Sequence, residues 1–122
     1  MKLAISGATG RMGLSVIRLA RAAGDIEIVG GSCSATDPGS GRDLGELAGI
    51  GGLGVVAAPD LASALLGADV VIDFSAAAVT AELASLAARQ KVALVSGTTN
   101  LDAAAIRALD RAALVVPVLW AP

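Results

Sequence analysis

Residues 2–13 read KLAISGATGRMG: a short apolar run leads into Gly7, Gly10 and Gly13, and a helical pattern begins directly afterwards. Each glycine suits a separate task in a turn between a strand and a helix. Gly7 allows a tight reversal, Gly10 leaves space for a ligand against the backbone, and Gly13 lets the helix pack close to the strand. The free N–H groups and the positive dipole end of that helix would face the ligand. The stretch therefore predicts a turn that binds the diphosphate of a dinucleotide.

The composition limits what the rest of the chain can be. Its 122 residues suit one domain, and 55% hydrophobic with only 2% aromatic residues is typical of parallel strands covered by alanine-rich helices. A net charge of −2 without a basic run gives no electrostatic footprint for nucleic acid or an anionic membrane. Asp69 and Asp73 interrupt the longest apolar run, so we expect no membrane span. With one cysteine and no signal-peptide pattern, we expect a soluble, cytoplasmic protein.

Strand-like and helical patterns alternate along the whole chain. The strands are predicted over 3–6, 26–30, 55–57, 70–74, 92–96 and 114–119. The helices are predicted over 14–23, 43–48, 60–66, 76–90 and 102–110, and the Gly-, Ser- and Asp-rich segment 31–54 is predicted to be a long mobile loop around the second helix. Right-handed crossovers would wind these elements into one open α/β sheet, doubly wound and mostly parallel. This is the Rossmann-like dinucleotide-binding fold.

Ligands of such a sheet lie beyond the carboxyl ends of its strands, where the strand order reverses. The segments expected there are 7–13, 32–36, 73–75, 97–100 and 120–122. In the segment Gly97, Thr98 and Thr99, hydroxyl and N–H groups occur together, which favours ligand binding over a plain turn. Ser75 is as well suited to capping the helix that follows it as to binding a ligand.

The position expected to choose the cofactor carries no acid. A carboxylate that binds the adenosine ribose normally follows the glycine turn by about 20 residues. Counting from Gly13 reaches Cys33, and the first acid after it is Asp37. Without a carboxylate a 2′-phosphate would not be repelled, which favours NADPH over NADH and leaves the use of both open. The residues that could hold the phosphate are Ser34, Thr36, Arg42 and Arg11. For Cys33, a small strand-end residue is favoured over a reactive thiol, because the chain has no histidine to activate it.

Five segments together resemble a known family. They are GATGRMG at 7–13, GELAG at 45–49, DFS at 73–75 with Thr80 five residues on, GTT at 97–99, and AP at 121–122. In order and spacing the chain resembles the 4-hydroxy-tetrahydrodipicolinate reductases, also called dihydrodipicolinate reductases, of bacterial lysine and diaminopimelate biosynthesis. The resemblance implies an oxidoreductase that uses NADPH or NADH to reduce 4-hydroxy-tetrahydrodipicolinate, a small cyclic dicarboxylate, to tetrahydrodipicolinate. It also implies a homo-oligomeric parent protein.

The resemblance implies a role for each matched residue. Those expected to bind the cofactor are Gly7, Ala8, Thr9, Gly10, Arg11, Met12 and Gly13 at the pyrophosphate, Cys33 and Ser34 at the ribose corner, Phe74, Ser75 and Thr80, Gly97, Thr98 and Thr99 at the nicotinamide, and Ala121 and Pro122 in a loop that closes over it. Thr99 is also expected to reach the substrate. In the family, the residues that donate the proton and bind the substrate carboxylates lie in a second domain, so residues 1–122 are expected to form the dinucleotide-binding domain alone.

Residues missing from the sequence separate the alternatives. Short-chain reductases need a Tyr and Lys pair, and the chain has no tyrosine. Semialdehyde dehydrogenases need a nucleophilic cysteine well downstream, and the single cysteine is Cys33. With no histidine, no tyrosine and no paired carboxylates, we predict neither a catalytic residue nor a metal site here, and no activity of the chain alone. A non-catalytic NAD(P)-binding or sensing module therefore remains the alternative. A following domain with histidine and lysine would decide for the reductase.

Overall fold

The computed structural model describes residues 1–121 and contains a sheet of six parallel strands. The strands are β1 (Lys2–Ser6), β2 (Glu27–Ser32), β3 (Ala57–Ala58), β4 (Val70–Asp73), β5 (Ala93–Ser96) and β6 (Val118–Trp120). The helices are α1 (Arg11–Ala23), α2 (Leu44–Leu47), α3 (Leu61–Ala64), α4 (Ala77–Gln90) and α5 (Ala103–Ala112). The spatial order is β3-β2-β1-β4-β5-β6, with every neighbouring pair parallel. The doubly wound α/β sheet is thus confirmed.

Hydrophobic side chains alternate between the two faces of the sheet and form two core layers. Ala4, Val71 and Leu94 lie in one layer with residues of α4 and α5. Leu3 and Ile5, the neighbours of Ala4 along β1, lie in the other layer with residues of α1 and α2. Because both faces of β1 are covered, its carboxyl end is held firmly. That end is where the strand order reverses, since β2 and β4 flank β1 on opposite sides.

Segment 31–54 differs from the predicted mobile loop. The Asp43 carboxylate accepts hydrogen bonds from the backbone N–H groups of Gly45, Glu46, Leu53 and Gly54, at 2.7–3.1 Å. These bonds fold the segment around one side chain and place α2 against α1. The composition correctly predicted the lack of long regular elements. The composition does not indicate the hydrogen bonds of Asp43, because they join residues up to 11 positions apart.

The last strand also differs from its prediction. Residues 114–116 form a turn that continues α5, with the N–H of Val116 bonded to the carbonyl of Ala112 at 2.9 Å. The strand begins only at Val118. The residue before it, Pro117, accepts a hydrogen bond at its carbonyl from Leu94 N–H at 3.0 Å. The apolar run therefore predicted the element but placed its start too early. Among the helices within residues 1–121, none has both the length and the apolar character needed to cross a bilayer.

Candidate functional site

The three glycines of the first turn meet different surroundings. Gly7 has a φ of +79°, and a Cβ there would lie 2.7 Å from the carbonyl oxygen of Phe74. A Cβ on Gly13 would lie 2.3 Å from the carbonyl oxygen of Gly7. A Cβ on Gly10 would meet no atom closer than 3.5 Å. The fold itself therefore requires glycine at 7 and 13, whereas the space beside Gly10 is open to a ligand.

The start of α1 presents unpaired donors to this open space. Gly10 is the N-cap residue, no side chain caps the helix, and its first turn contains no acid. The first-turn residues Arg11, Met12 and Gly13 line a cavity of about 300 Å³, here called the small cavity, together with Phe74 and the segment 97–99. Backbone N–H groups and the positive end of the dipole at a helix start favour an anion. The arrangement is suited to a diphosphate group.

A second cavity of about 500 Å³, here called the large cavity, lies on the other side of the turn. Its lining consists of Ser6, Gly7 and Thr9, Ser32 to Ala35 at the end of β2, Pro59 to Leu61 before and in α3, and Ser75, Ala76, Val79 and Glu82 before and in α4. Ser6 is only 1% exposed, and its hydroxyl has no hydrogen-bond partner among the described residues. Buried polar groups are normally paired, so an unpaired hydroxyl in a cavity wall fits a site that receives a polar ligand.

A buried carboxylate connects the strands and loops that form the small cavity. Asp73 is 0% exposed. Its Oδ1 accepts bonds from Ser75 N–H at 3.1 Å and from the Ser75 hydroxyl at 2.5 Å. Its Oδ2 accepts bonds from the hydroxyls of Thr80 at 2.6 Å, Ser96 at 3.0 Å and Thr98 at 3.0 Å. Asp73 thereby holds three parts of the chain in one fixed arrangement: the end of β5, the loop that follows β5, and the first turn of α4.

The segment 97–99 is shaped by aromatic contacts as well. A Cβ on Gly97 would lie 2.5 Å from Cε1 of Phe74, so only glycine lets this ring pack against the backbone. The indole Nε1 of Trp120 donates to the carbonyl oxygen of Thr98 at 3.0 Å. Thr98 is buried, whereas Thr99 is exposed. Of the two threonines, Thr99 is thus the one whose side chain is free to reach a ligand.

Most of the residues predicted for the site line one of the two cavities. Those in the large cavity are Gly7, Thr9, Cys33, Ser34 and Ser75, and those in the small cavity are Gly10, Arg11, Met12, Gly13, Phe74, Ser75, Gly97, Thr98 and Thr99. Ala8, Thr80 and Ala121 line neither cavity. Pro122 lies outside the described residues.

The three residues outside the cavities make contacts that support the site from behind. Ala8 is fully buried, and its N–H donates to the carbonyl of Ser32 at 2.9 Å, which ties the turn to β2. Thr80 is fully buried, and its hydroxyl donates to Asp73, so it orients that carboxylate. The N–H of Ala121 donates to the carbonyl of Ser96 at 2.9 Å, which places the end of the chain beside β5.

Asp73 and Trp120 lie in segments expected at the site but were given no role by the sequence, and two carboxylates of the large cavity, Asp60 and Glu82, were not predicted to line it. Asp60 is the N-cap of α3, where its carboxylate accepts bonds from Ala62 N–H and the Ser63 hydroxyl. The Ser63 bond is the main reason why the pKa of Asp60 lies below its usual 3.8. Within residues 1–121, no three His, Cys, Asp or Glu side chains are grouped so as to hold a metal ion. The uncapped start of α1 remains the part of the site suited to an anionic group.

Comparison with known proteins identifies a family that the chain matches. A family model described as "Dihydrodipicolinate reductase, N-terminus" matches residues 1–122. The 4-hydroxy-tetrahydrodipicolinate reductase of Anaeromyxobacter sp. (strain Fw109-5) is 42% identical over 123 residues, covering 100% of this chain and 45% of that protein. The protein of the same name from Alkalilimnicola ehrlichii is 44% identical over 125 residues, covering 99% and 45%.

A solved structure of a similarly named protein also resembles the chain in fold. A dipicolinate-bound dihydrodipicolinate reductase from Paenisporosarcina sp. TG-14 matches with a TM-score of 0.75 at 21% identity, covering 100% of this chain and 47% of that one. The chain thus spans less than half the length of the curated relatives that it matches.

Proposed function

The chain belongs to the dihydrodipicolinate reductase family, and on that premise we propose that it is the cofactor-binding domain of an NAD(P)H-dependent reductase. The substrate proposed for the whole protein is 4-hydroxy-tetrahydrodipicolinate, a small cyclic dicarboxylate of lysine and diaminopimelate biosynthesis. The observation that carries the cofactor assignment is the uncapped start of α1 beside the open space at Gly10. Donors and space occur together there, as the binding of a diphosphate requires.

The two cavities divide the proposed ligand between them. The diphosphate would lie against the first turn of α1, the adenosine in the large cavity, and the nicotinamide in the small cavity beside the segment 97–99. When bound, the cofactor supplies the hydride. This chain's own residues bind and orient it: the backbone of Gly97 and the ring of Phe74 wall the small cavity, and the exposed Thr99 hydroxyl is available to the substrate.

Proton transfer is proposed to depend on residues outside this chain. The sequence has neither histidine nor tyrosine, and the buried Asp73 already accepts bonds from four side chains. The relatives are more than twice as long as the segment matched here. We therefore place the proton donor and the groups that bind the substrate carboxylates in the remainder of the parent protein.

A fluorescence titration tests the cofactor assignment. Trp120 is the single tryptophan, and its indole holds Thr98 in the wall of the small cavity. Binding of a reduced nicotinamide there is expected to quench Trp120 emission and to sensitise the nicotinamide fluorescence. The proposal would be contradicted if neither signal changed on titration with NADH or NADPH and calorimetry showed no heat of binding for either cofactor.

One observation favours a second function, that of a non-catalytic NAD(P)-binding or sensing module. The two described cavities are lined by groups that can bind a ligand, and their linings contain neither histidine nor tyrosine for acid–base catalysis. A turnover assay separates the two functions. The parent protein, supplied with the cyclic dicarboxylate and reduced cofactor, is expected to consume the cofactor. If cofactor binds but is not consumed, the module is the better description.

A further inference from the structure

The large cavity has a negative lining that the sequence alone did not reveal. Asp60 and Glu82 reach the cavity from α3 and α4, and they are the charged side chains among the described residues that line it. No lysine or arginine belongs to that lining. Thr9, a third part of the wall, donates its hydroxyl to Asp37 at 2.8 Å, so another carboxylate lies directly behind the turn.

The charge on Asp60 is fixed by the local structure. Its carboxylate accepts bonds from Ala62 N–H at 3.2 Å and from the Ser63 hydroxyl at 2.5 Å. Hydrogen bonds to a carboxylate stabilise its ionised form, so Asp60 stays negative at neutral pH. Its position at the start of α3 keeps it at the cavity wall.

Such a wall would interact differently with the two forms of the cofactor. A free ribose diol can donate hydrogen bonds to carboxylates, as in dinucleotide folds that bind NAD. A 2′-phosphate adds close to two negative charges and needs cationic partners. We infer that the lining supplied by Asp60 and Glu82 makes this protein select NADH over NADPH. The inference rests on the proposed function, because it requires the adenosine to occupy the large cavity.

A preference for NADH is the opposite of what Cys33 alone predicts. Counting along β2 finds no acid at the usual position, which favours NADPH. The fold brings Asp60 and Glu82 to the same cavity as Cys33 from positions 27 and 49 residues further along the chain. The combined charge of the wall, and not the residue at the end of β2 alone, faces the ribose.

Isothermal titration with NADH and NADPH tests the inference on two charge-neutralising variants. Asp60→Asn keeps a good N-cap residue for α3, and Glu82→Gln keeps the size of the side chain. NADH is expected to bind about tenfold more tightly than NADPH, since repulsion at separations on the order of 8 Å is partly screened. The double variant is expected to lower this ratio about tenfold. Raising the salt concentration is expected to reduce the ratio in the unmodified protein.

A matched control separates local from overall charge. Asp110→Asn changes an exposed carboxylate on α5 outside both cavities, removes one charge as each single variant does, and is expected to leave the ratio unchanged. Equal affinities in the unmodified protein, tighter NADPH binding, or an unchanged ratio in the double variant would overturn the inference and leave the proposed function standing. Binding of neither cofactor would overturn both.

Discussion

Substitutions at two glycines of the same turn are expected to have different effects, one on cofactor binding and the other on stability. Gly10 and Gly13 lie three residues apart, yet a Cβ on Gly10 meets nothing within 3.5 Å and one on Gly13 would lie 2.3 Å from the Gly7 carbonyl oxygen. Gly10→Val should therefore remove cofactor binding and keep the fold. Gly13→Ala should weaken the fold. A turn that only connected β1 to α1 would show no such contrast.

The magnitudes follow from the local geometry. At Gly10 the backbone is extended, with φ −76° and ψ 172°, which valine tolerates, so the loss of stability should stay below about 1 kcal/mol, mostly from poorer N-capping. A valine side chain would fill the diphosphate position. Losing two charge-assisted hydrogen bonds would weaken binding by roughly 3 kcal/mol, about 100-fold. For Gly13→Ala, overpacking against backbone costs roughly 3 kcal/mol, and helix propensity returns about 1 kcal/mol.

The assays are thermal unfolding for stability and calorimetric titration with NADH for binding. Gly13→Ala should lower the unfolding temperature by roughly 7 °C, which corresponds to about 2 kcal/mol. Gly52→Val is the control, since Gly52 is exposed outside both cavities and a Cβ there meets nothing closer than 3.7 Å. Undiminished NADH affinity in Gly10→Val, or a loss of stability equal to that of Gly13→Ala, would refute the reasoning.

Three further predictions concern single side chains. Thr80→Val keeps the shape of the side chain but removes the hydroxyl that donates to Asp73 at 2.6 Å, so the free energy of unfolding in urea should fall by about 2 kcal/mol. The exposed control Thr36→Val should lower it by less than about 0.5 kcal/mol. Equal losses in the two variants would show that the buried hydrogen bond does not contribute to stability. Cys33→Glu adds a carboxylate to the large cavity and should raise the ratio of NADH to NADPH affinity severalfold in titration, whereas an unchanged ratio would place Cys33 away from the ribose. Backbone hydrogen bonds, chiefly that of Leu53, lower the pKa of Asp43 below 3.8, so the stability that they provide is present above pH 3.8 and is lost as the pH falls through the lowered value. Unfolding measured from pH 6 down to pH 2.5 should show this acid loss reduced in Asp43→Asn, and identical profiles would contradict it.

The fold could be predicted because its signals are local. Each strand is a short apolar run, and each long helix shows its own periodicity, so the alternation along the chain determines a parallel sheet. Of the two main errors, the first arose where contacts between distant residues decide the structure. Asp43 gathers N–H groups up to 11 residues away and orders a segment that composition marks as loose. At the other end, the turn that continues α5 takes residues 114–116, which the apolar pattern assigned to a strand.

The same distinction separates the predicted part of the site from the missed part. The glycine turn and the segment 97–99 could be predicted to line a cavity because a rule places ligands at the carboxyl ends of strands, and strand ends can be recognised locally. Asp73 was not singled out, since its role depends on hydroxyls at 80, 96 and 98, on three different elements. One signal was available: a carboxylate at an inward position of a strand needs several donors, and the chain supplies serine or threonine near every neighbouring strand end.

Charge around a ligand is the property least readable from a single motif. A motif assigns the choice of cofactor to one residue after β2, whereas electrostatic energy sums over every charge near the ribose. Asp60 belongs to the cavity because α3 starts beside the end of β2, and Glu82 belongs to it because α4 crosses the same edge of the sheet. Since both placements follow from the strand order β3-β2-β1-β4, the inferred preference for NADH would be a consequence of topology. Moving a carboxylate into or out of this lining should therefore change cofactor choice without any change in the glycine turn.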